Sequence, residues 1–453
     1  MYVKSGTTTI KMTARRWALI GATLAGVFAA GIVAASPKIE TWTTANGARV
    51  YFVPAPELPI VDVRVVFDAG SAKDAGKDGV AQLTNGLLGE GAGELNADQI
   101  AERFEGLGAQ FGGDAQRDMA IVSLRSLTEP SLLAPALATL ATVLTQPTFP
   151  ADAFERERTR TLVALRSQEE SPEDIASKAF FAALYPGHPY GTPPLGSEAS
   201  IKALSRDDLV NFYQRYYVAR NATLAIVGAV DRAAAEKIAE QVAGQLPAGQ
   251  AAAIVPAAPL PAEAKLTRLD YPSGQTHILL GQPGVTRDDP DYFPLYVGNH
   301  ILGGSGLVSR ISDEVREKRG LSYSSYSYFV PMRAAGPFTA GLQTRNDQAD
   351  QALTVLQDVM KEFIAKGPKD AELTAAKKNI TGGFALRLDS NSKIVENLAM
   401  IGFYQLPLDY LDTFNKRIEA VTAAQIRDAF QRRIHPQRMV TVIVGGAAAK
   451  PAP

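Results

Sequence analysis

Apolar and polar residues alternate through Val61-Asp-Val-Arg-Val-Val-Phe67, the two-residue period of a strand with one buried face. The period then lengthens. Asn96 with Gln99 forms a capping-box start, and Ile100, Phe104 and Leu107 stripe one side of the helix predicted to follow. Residues 131–144 read as a second, strongly apolar helix and residues 154–167 as a long charged one. Strands and helices alternate without the strict βαβ rhythm of a parallel sheet, so the pattern predicts an α+β fold with helices packed on a mainly antiparallel sheet.

The pattern occurs twice. Ile201-Lys-Ala-Leu-Ser-Arg-Asp-Asp-Leu209 aligns without a gap, at an offset of 217 residues, with Ile418-Glu-Ala-Val-Thr-Ala-Ala-Gln-Ile426. In the same register Tyr213-Gln-Arg215 meets Phe430-Gln-Arg432, and Thr223-Leu-Ala-Ile-Val-Gly228 meets Val440-Thr-Val-Ile-Val-Gly445. Ser205 and Thr422 are the predicted N-caps of the two helices, and each helix leads to a β-branched run ending at glycine. A repeat of this length exceeds the ~20–50 residues of solenoid units and indicates a duplicated domain. Two homologous α/β sandwich domains are therefore expected, at residues 37–245 and 264–447, joined by a Pro/Ala-rich linker at 246–263 that lets them face one another as a clam-shell.

Ahead of these domains, Lys11, Arg15 and Arg16 precede an uncharged run over residues 17–35, and Val33-Ala34-Ala35-Ser36 offers a small-residue cleavage site. Residues 1–36 are expected to be a signal peptide, or else an uncleaved anchor about long enough to span ~30 Å of hydrocarbon. Either way the folded part is exported, periplasmic or envelope-associated, and touches a membrane only through that segment. Over 453 residues, 46% hydrophobic and 21% charged describe a globular protein. A net charge of −1 without a sustained Lys/Arg block removes the electrostatic footprint of a nucleic-acid binder. There are no cysteines, which closes thiolate metal sites and Cys/His catalysis.

The remaining chemistry is sparse. The four histidines, His188, His277, His300 and His435, never fall within a helical turn of one another, whereas a zinc site needs three converging protein ligands. His300, with Asn299 before it and Tyr296 four residues back, lies in the second half's counterpart of the helix holding Gln82. Gly303-Gly304-Ser305-Gly306 lacks the Gly-Lys-Ser/Thr of a phosphate loop; it is expected to be a flexible loop whose bare backbone approaches a neighbour or a peptide. No Gly-x-Ser-x-Gly elbow follows a strand.

Several segments nevertheless carry a resemblance: Phe67-Asp-Ala-Gly-Ser71, Phe154-Glu-Arg-Glu-Arg158, Leu184-Tyr-Pro-Gly-His-Pro-Tyr-Gly191, Ile301-Leu-Gly-Gly304 and above all Glu314-Val-Arg-Glu-Lys-Arg-Gly-Leu-Ser-Tyr323. From about Thr43 to Gly445 the chain resembles the pitrilysin/insulinase family of zinc peptidases, which includes the mitochondrial processing peptidase. The resemblance implies that the family's inverted pentad, His-x-x-Glu-His, falls on Gln82-Leu-Thr-Asn85-Gly86, with the downstream zinc ligand at Ala164 and the accessory glutamate retained as Glu157. Amide, glycine and alanine side chains are poor ligands or none, so no metal or other cofactor is expected in this chain. The family's Arg/Tyr pair, by contrast, falls on Arg316, expected to close a helix, and Tyr323, expected to open a strand over residues 321–329. It also implies that the pair stabilises the tetrahedral oxyanion of the scissile carbonyl.

The resemblance therefore implies a non-catalytic subunit of a heterodimer. A homologous partner would hold zinc, extended peptides would be the substrate, Gly303, Gly304 and Gly306 would form a substrate loop, and Arg316 and Tyr323 would act in trans. Two alternatives remain open at this point: a peptide-binding or scaffold protein that keeps the fold without proteolysis, and an enzyme with a displaced metal site.

Overall fold

The computed structural model describes residues 38–446; the expected signal or anchor segment lies outside them. Among the described residues no helix is long and apolar enough to cross a membrane.

In the first half, strands β1 (Glu40–Thr43), β2 (Arg49–Pro54) and β3 (Ile60–Phe67) are followed by the short β4 (Gly91–Ala92) and β5 (Leu95–Asn96) ribbon, then β6 (Gln110–Ala115), β7 (Ala120–Leu127) and β8 (Ala222–Gly228). They form a six-stranded sheet in the order β1-β2-β8-β3-β7-β6, antiparallel except for the β2/β8 pair. In the second half, β9 (Lys265–Leu269), β10 (Gln275–Pro283), β11 (Ser325–Phe329), β12 (Pro337–Arg345) and β13 (Val440–Val444) form a five-stranded sheet in the order β11-β12-β10-β13-β9. Read from the other edge, this is the first sheet again without β1, down to the single parallel pair, β9 with β13. The duplication seen in the residues is thus a duplication of topology. Its markers are in place: Ser205 and Thr422 both close capping boxes, opening the Arg206–Tyr216 and Ala423–Arg433 helices, and the strands they lead to occupy equivalent places.

The helices match the expected elements with wider bounds. The capping box of Asn96 and Gln99 opens Ala97–Gly106, the apolar helix runs Pro130–Thr145, and the charged one runs Ala151–Glu169.

One expectation fails in an informative way. Alternation in β3 predicts one buried face, yet β3 is covered on both. Val61, Val63, Val65 and Phe67 belong to the first half's main core, while Val66 joins Tyr51, Val53, Ala225 and Val227 in a second cluster with Val395, Leu398, Ala399 and Phe403. Those last four residues come from the other half, on the helix Asn391–Tyr404. The exchange is mutual. Helix Pro172–Leu184 of the first half lies on β13 and β10 of the second, burying Ala176, Phe180 and Leu184 against Val440, Val442 and Val444. Each half therefore lends the other a helix, at equivalent strands.

The linker is pinned as well. Ala219 and Arg220 donate backbone N–H groups to Pro247 and Ala248 (2.8 and 3.2 Å), and Ala252 donates to Asn221 Oδ1 (2.7 Å). The Lys73 ammonium reaches the Ala253 carbonyl, and Val255 is buried in the cluster under the exchanged helix. A segment that composition presents as a spacer is docked along the first half, because its carbonyls and amides find fixed partners there.

Candidate functional site

The helix Val80–Gly86 carries the positions where the resemblance places a zinc pentad. Gly79, at φ +94°, lets the chain turn into it; a Cβ there would lie 2.6 Å from Ile201 Cδ1. Asp74, buried at 4% exposure, accepts the N–H groups of Gly79 (2.8 Å) and Ala81 (3.1 Å), satisfying donors that a helix start leaves free. Burial pushes the Asp74 carboxyl up to about 8, against the pull of those two donors. Its proton is then held more tightly folded than unfolded, so stability is full below the ordinary carboxylate range and falls as pH rises toward 8. Urea midpoints of the parent protein should decline between pH 5 and about 8, whereas Asp74→Asn should flatten that slope; an unchanged slope would show that Asp74 is not the group responsible.

None of the pentad positions fits a metal. Asn85 is buried and committed, its Nδ2 donating to the Ile121 carbonyl and to the Tyr217 hydroxyl, both at 3.2 Å. Its Oδ1 faces Gly113, where a Cβ would come within 2.7 Å. Asn85 is thus a buried amide fastening helix to sheet. Gln82 is half-buried, and Gly86 is exposed and has no donor. On the neighbouring helix Ala151–Glu169, Glu157 and Ala164 flank buried Thr161 at i−4 and i+3; Ala164 is an exposed methyl, and Glu157 faces Arg160 at 3.5 Å. Zinc requires several nitrogen, sulfur or carboxylate donors converging, and this set provides at most Glu157. Among the described residues no three His, Cys, Asp or Glu side chains group as a metal would need. His188, for instance, accepts the Tyr190 N–H at Nδ1 (3.1 Å), which leaves Nε2 to donate to the Pro256 carbonyl (2.9 Å). That histidine is a clasp for the linker.

The counterpart helix in the second half, Tyr292–Asn299, continues into a π-helical turn, His300–Gly304. This corrects the expected loop. Gly303 is buried, and a Cβ on it would stand 2.4 Å from the backbone nitrogen of Ser327, so it is the point where the turn presses on β11. Asn299 secures the same contact, donating to the Ser327 carbonyl (3.0 Å) and accepting the Ser327 hydroxyl (2.7 Å). Gly304 stands over Asn299, and only Gly306, at φ +65° with open space around it, has loop character. Gly303→Ala should therefore lower stability by about 1–3 kcal/mol through overpacking, measured by urea denaturation; a loss as small as a surface change would restore the loop reading. His300, Tyr296 and Arg387 line a cavity of about 700 Å³ beside this turn, where burial, with Arg387 adding to it, pushes the imidazole pKa down.

Arg316 and Tyr323 do come together. Arg316 lies in the turn Asp313–Glu317, after which the Gly320 N–H donates to the Arg316 carbonyl (2.8 Å) and the Leu321 N–H to the Val315 carbonyl (2.9 Å). Gly320, at φ +61°, reverses the chain. Tyr323 is not in a strand as its alternating neighbours suggest: β11 begins at Ser325, and Ser322 closes a bend onto the Ser324 carbonyl (2.7 Å). The tight turn after Gly320 delays pairing with β12 by four residues. In consequence the Tyr323 side chain stands 83% exposed, with the Arg316 guanidinium 4.6 Å from its ring centroid. Two hydrogen-bond donors, one cationic, are thereby presented side by side to an approaching molecule.

Comparison with known proteins accords with this picture of a duplicated frame. Residues 49–198 match the family described as insulinase (peptidase family M16), and residues 203–380 match the peptidase M16 inactive domain. An uncharacterized zinc protease of Bacillus subtilis is 26% identical over 79% of this chain and 87% of its own length, and one from Mycobacterium tuberculosis is 27% identical over 90% and 93%. A crystal structure from Pseudomonas fluorescens, titled a peptidase M16 inactive domain, superposes with a TM-score of 0.88 at 42% identity, covering 91% of this chain and all of that one. A protease from Helicobacter pylori shares the fold, with a TM-score of 0.82 at 19% identity over 90% of this chain and 99% of that one. Both halves of the duplicated fold are accounted for, and the chain belongs to the insulinase, or M16, peptidase family.

Proposed function

We propose that this chain is the non-catalytic subunit of an exported heterodimeric zinc peptidase, pairing with a family member that carries His-x-x-Glu-His and the metal. This chain offers Arg316 and Tyr323 in trans to the scissile carbonyl of an extended peptide. The observation that carries the reading is the asymmetry between the two sets of positions. The zinc positions hold side chains that coordinate poorly or not at all, while the oxyanion side keeps both donors, the half-buried Arg316 stacked on the outward-facing Tyr323. Tyr323 also stands two residues before β11, at the edge of the second half's sheet. The curated relatives from Bacillus and Mycobacterium, named as zinc proteases, represent the class from which such a partner would come.

Co-expression with a zinc-bearing family member of the same organism tests the pairing. Native mass measurement should show a one-to-one complex that hydrolyses peptides and loses activity with a chelator, while the isolated chain does neither. Chelator-sensitive hydrolysis by the isolated chain, with stoichiometric metal, would overturn the proposal, and a chain that binds peptides but no partner would be a scaffold.

A further inference from the structure

A seam between the two halves holds cations that the peptidase chemistry does not use. A cavity of about 350 Å³ is lined by Arg49 on β2, Arg287 after β10, Arg333 before β12 and Arg220 at the rim, facing only Asp68 and Asp288. Asp68 is already engaged by the buried Lys73 ammonium (3.2 Å), and Asp288 is exposed and accepts the Thr286 hydroxyl (2.7 Å). Among the described residues neither Arg49 nor Arg287 has a carboxylate within ion-pair distance; Arg333 has only Asp68, at 3.6 Å. The Nε atoms of all three guanidiniums are buried without a hydrogen-bond partner. Burial lowers the Arg49 pKa and neighbouring Arg333 adds to the effect, as expected of cations crowded together in a weakly solvated place.

Half-buried guanidiniums short of anions are costly; Arg49 Nη2 donates to the Thr223 hydroxyl (2.9 Å) and Arg333 Nη2 to the Phe403 carbonyl (3.3 Å), and the three Nε donors left over suit a carboxylate. The seam also has an apolar end. Arg287, Met332 and Tyr404 also line a second cavity of about 440 Å³, whose apolar wall is Phe181, Val330, Met400 and Ala399 and whose charged residues are Arg64, Arg117, Asp118 and Glu396. Arg287 stands at the junction, with only Met400 Sδ (3.1 Å) as a hydrogen-bonding side-chain partner among the described residues. A ligand that fits has a negative head and an apolar body.

We propose that this seam binds an apolar carboxylate, its head against Arg49, Arg287 and Arg333 and its body among Met332, Met400 and Phe181. The site is separate from Arg316 and Tyr323 and does not depend on any role in proteolysis. Such a ligand would bridge the halves, since Arg49 belongs to one and Arg287 and Arg333 to the other. A free peptide C-terminus and a fatty acid share this chemistry.

Calorimetric titration of the full chain with octanoate, with N-acetyl-alanyl-leucine, with the C-terminal amide of that dipeptide and with inorganic phosphate distinguishes them. One or both carboxylates should bind in a one-to-one ratio and raise the melting temperature, with the amide at least about tenfold weaker than its acid. Preference for octanoate identifies a fatty acid, and preference for the dipeptide a peptide end. Arg49→Gln and Arg287→Gln should each weaken binding about tenfold or more and abolish the ligand-induced melting shift, while Arg220→Gln at the rim should matter far less. Using two interior variants keeps the test valid if one of them folds poorly. Equal binding of acid and amide, tighter binding of phosphate than of either carboxylate, or no heat from either carboxylate up to about 10 mM would overturn the proposal.

Discussion

Replacing Phe180 with alanine should lower the unfolding free energy by about 3–5 kcal/mol. Phe180 is 1% exposed and lies on the helix that the first half lends to the second. Its ring sits over Gly281 of β10, where a Cβ would come within 2.8 Å of Phe180 Cζ, so the sheet has been shaped to admit it. Removal leaves a void walled by backbone and by β-branched side chains of β13, which cannot collapse to fill it. The opposite exchange has the same design: Gly402, on the Asn391–Tyr404 helix, lies so close to Tyr51 and Thr223 that a Cβ would come within 2.6 Å of each. Because each half's sheet is covered by the other's helix, the two halves should unfold together in the parent. Urea denaturation followed by far-ultraviolet circular dichroism and by tryptophan fluorescence should therefore give one transition at a lower midpoint for Phe180→Ala. Leu386→Ala, at an exposed position, should change stability by no more than about 0.5 kcal/mol. A loss below about 1 kcal/mol for Phe180→Ala, well short of a buried aromatic truncation, would mean that the helix is not docked across the halves.

This exchange is the part of the fold that the residues do not disclose. Periodicity shows that Ala176, Phe180 and Leu184 share a helical face, but not which sheet receives it, because an apolar stripe is indifferent to the origin of its partner. The same limit explains β3. Val66 and Asp62 lie on the face that alternation leaves for solvent, and that face is closed by a helix more than 300 residues downstream and by the bidentate Asp62–Arg125 pair (2.9 and 3.0 Å). What the residues do disclose is local or repeated. Ser205 and Thr422 mark helix starts because a hydroxyl at that place satisfies N–H groups three residues on, and the offset between the copies survives because both sheets need the same strands. At the candidate site, that Gln82, Asn85, Gly86 and Ala164 offer a metal no imidazole or carboxylate is a matter of residue identity and is legible in the sequence. The true work of Asn85 and Gly303, fastening helices to strands, is not, since both depend on contacts far apart in the chain. The Ser/Tyr alternation after Tyr323 wrongly draws that residue into the strand; the stronger signal is Gly320, whose turn keeps the next four residues out of the sheet.

In the proposed complex, Arg316→Ala should reduce kcat by about 10²–10³-fold, with a much smaller change in KM. The reasoning rests on when the charge exists. A neutral peptide carbonyl gains little from a nearby guanidinium, whereas the tetrahedral oxyanion gains a charge-assisted hydrogen bond, so the donor acts on the transition state more than on binding. Tyr323→Phe removes a neutral donor and should cost less than Arg316→Ala while keeping the stacked ring. The 4.6 Å stacking adds a further expectation: without the Tyr323 ring, in Tyr323→Ala, Arg316 loses the surface that orients it, so the double variant should be little worse than Arg316→Ala alone. Neither change should disturb folding, because Tyr323 is exposed and Arg316 has only Glu317, at 3.5 Å, as an ion-pair partner among the described residues. If Arg316→Ala leaves kcat within about twofold, the in-trans oxyanion role is wrong. A rise in KM at unchanged kcat would instead make the pair a peptide-binding surface, which acts before the chemistry and leaves the partner to stabilise the oxyanion by itself.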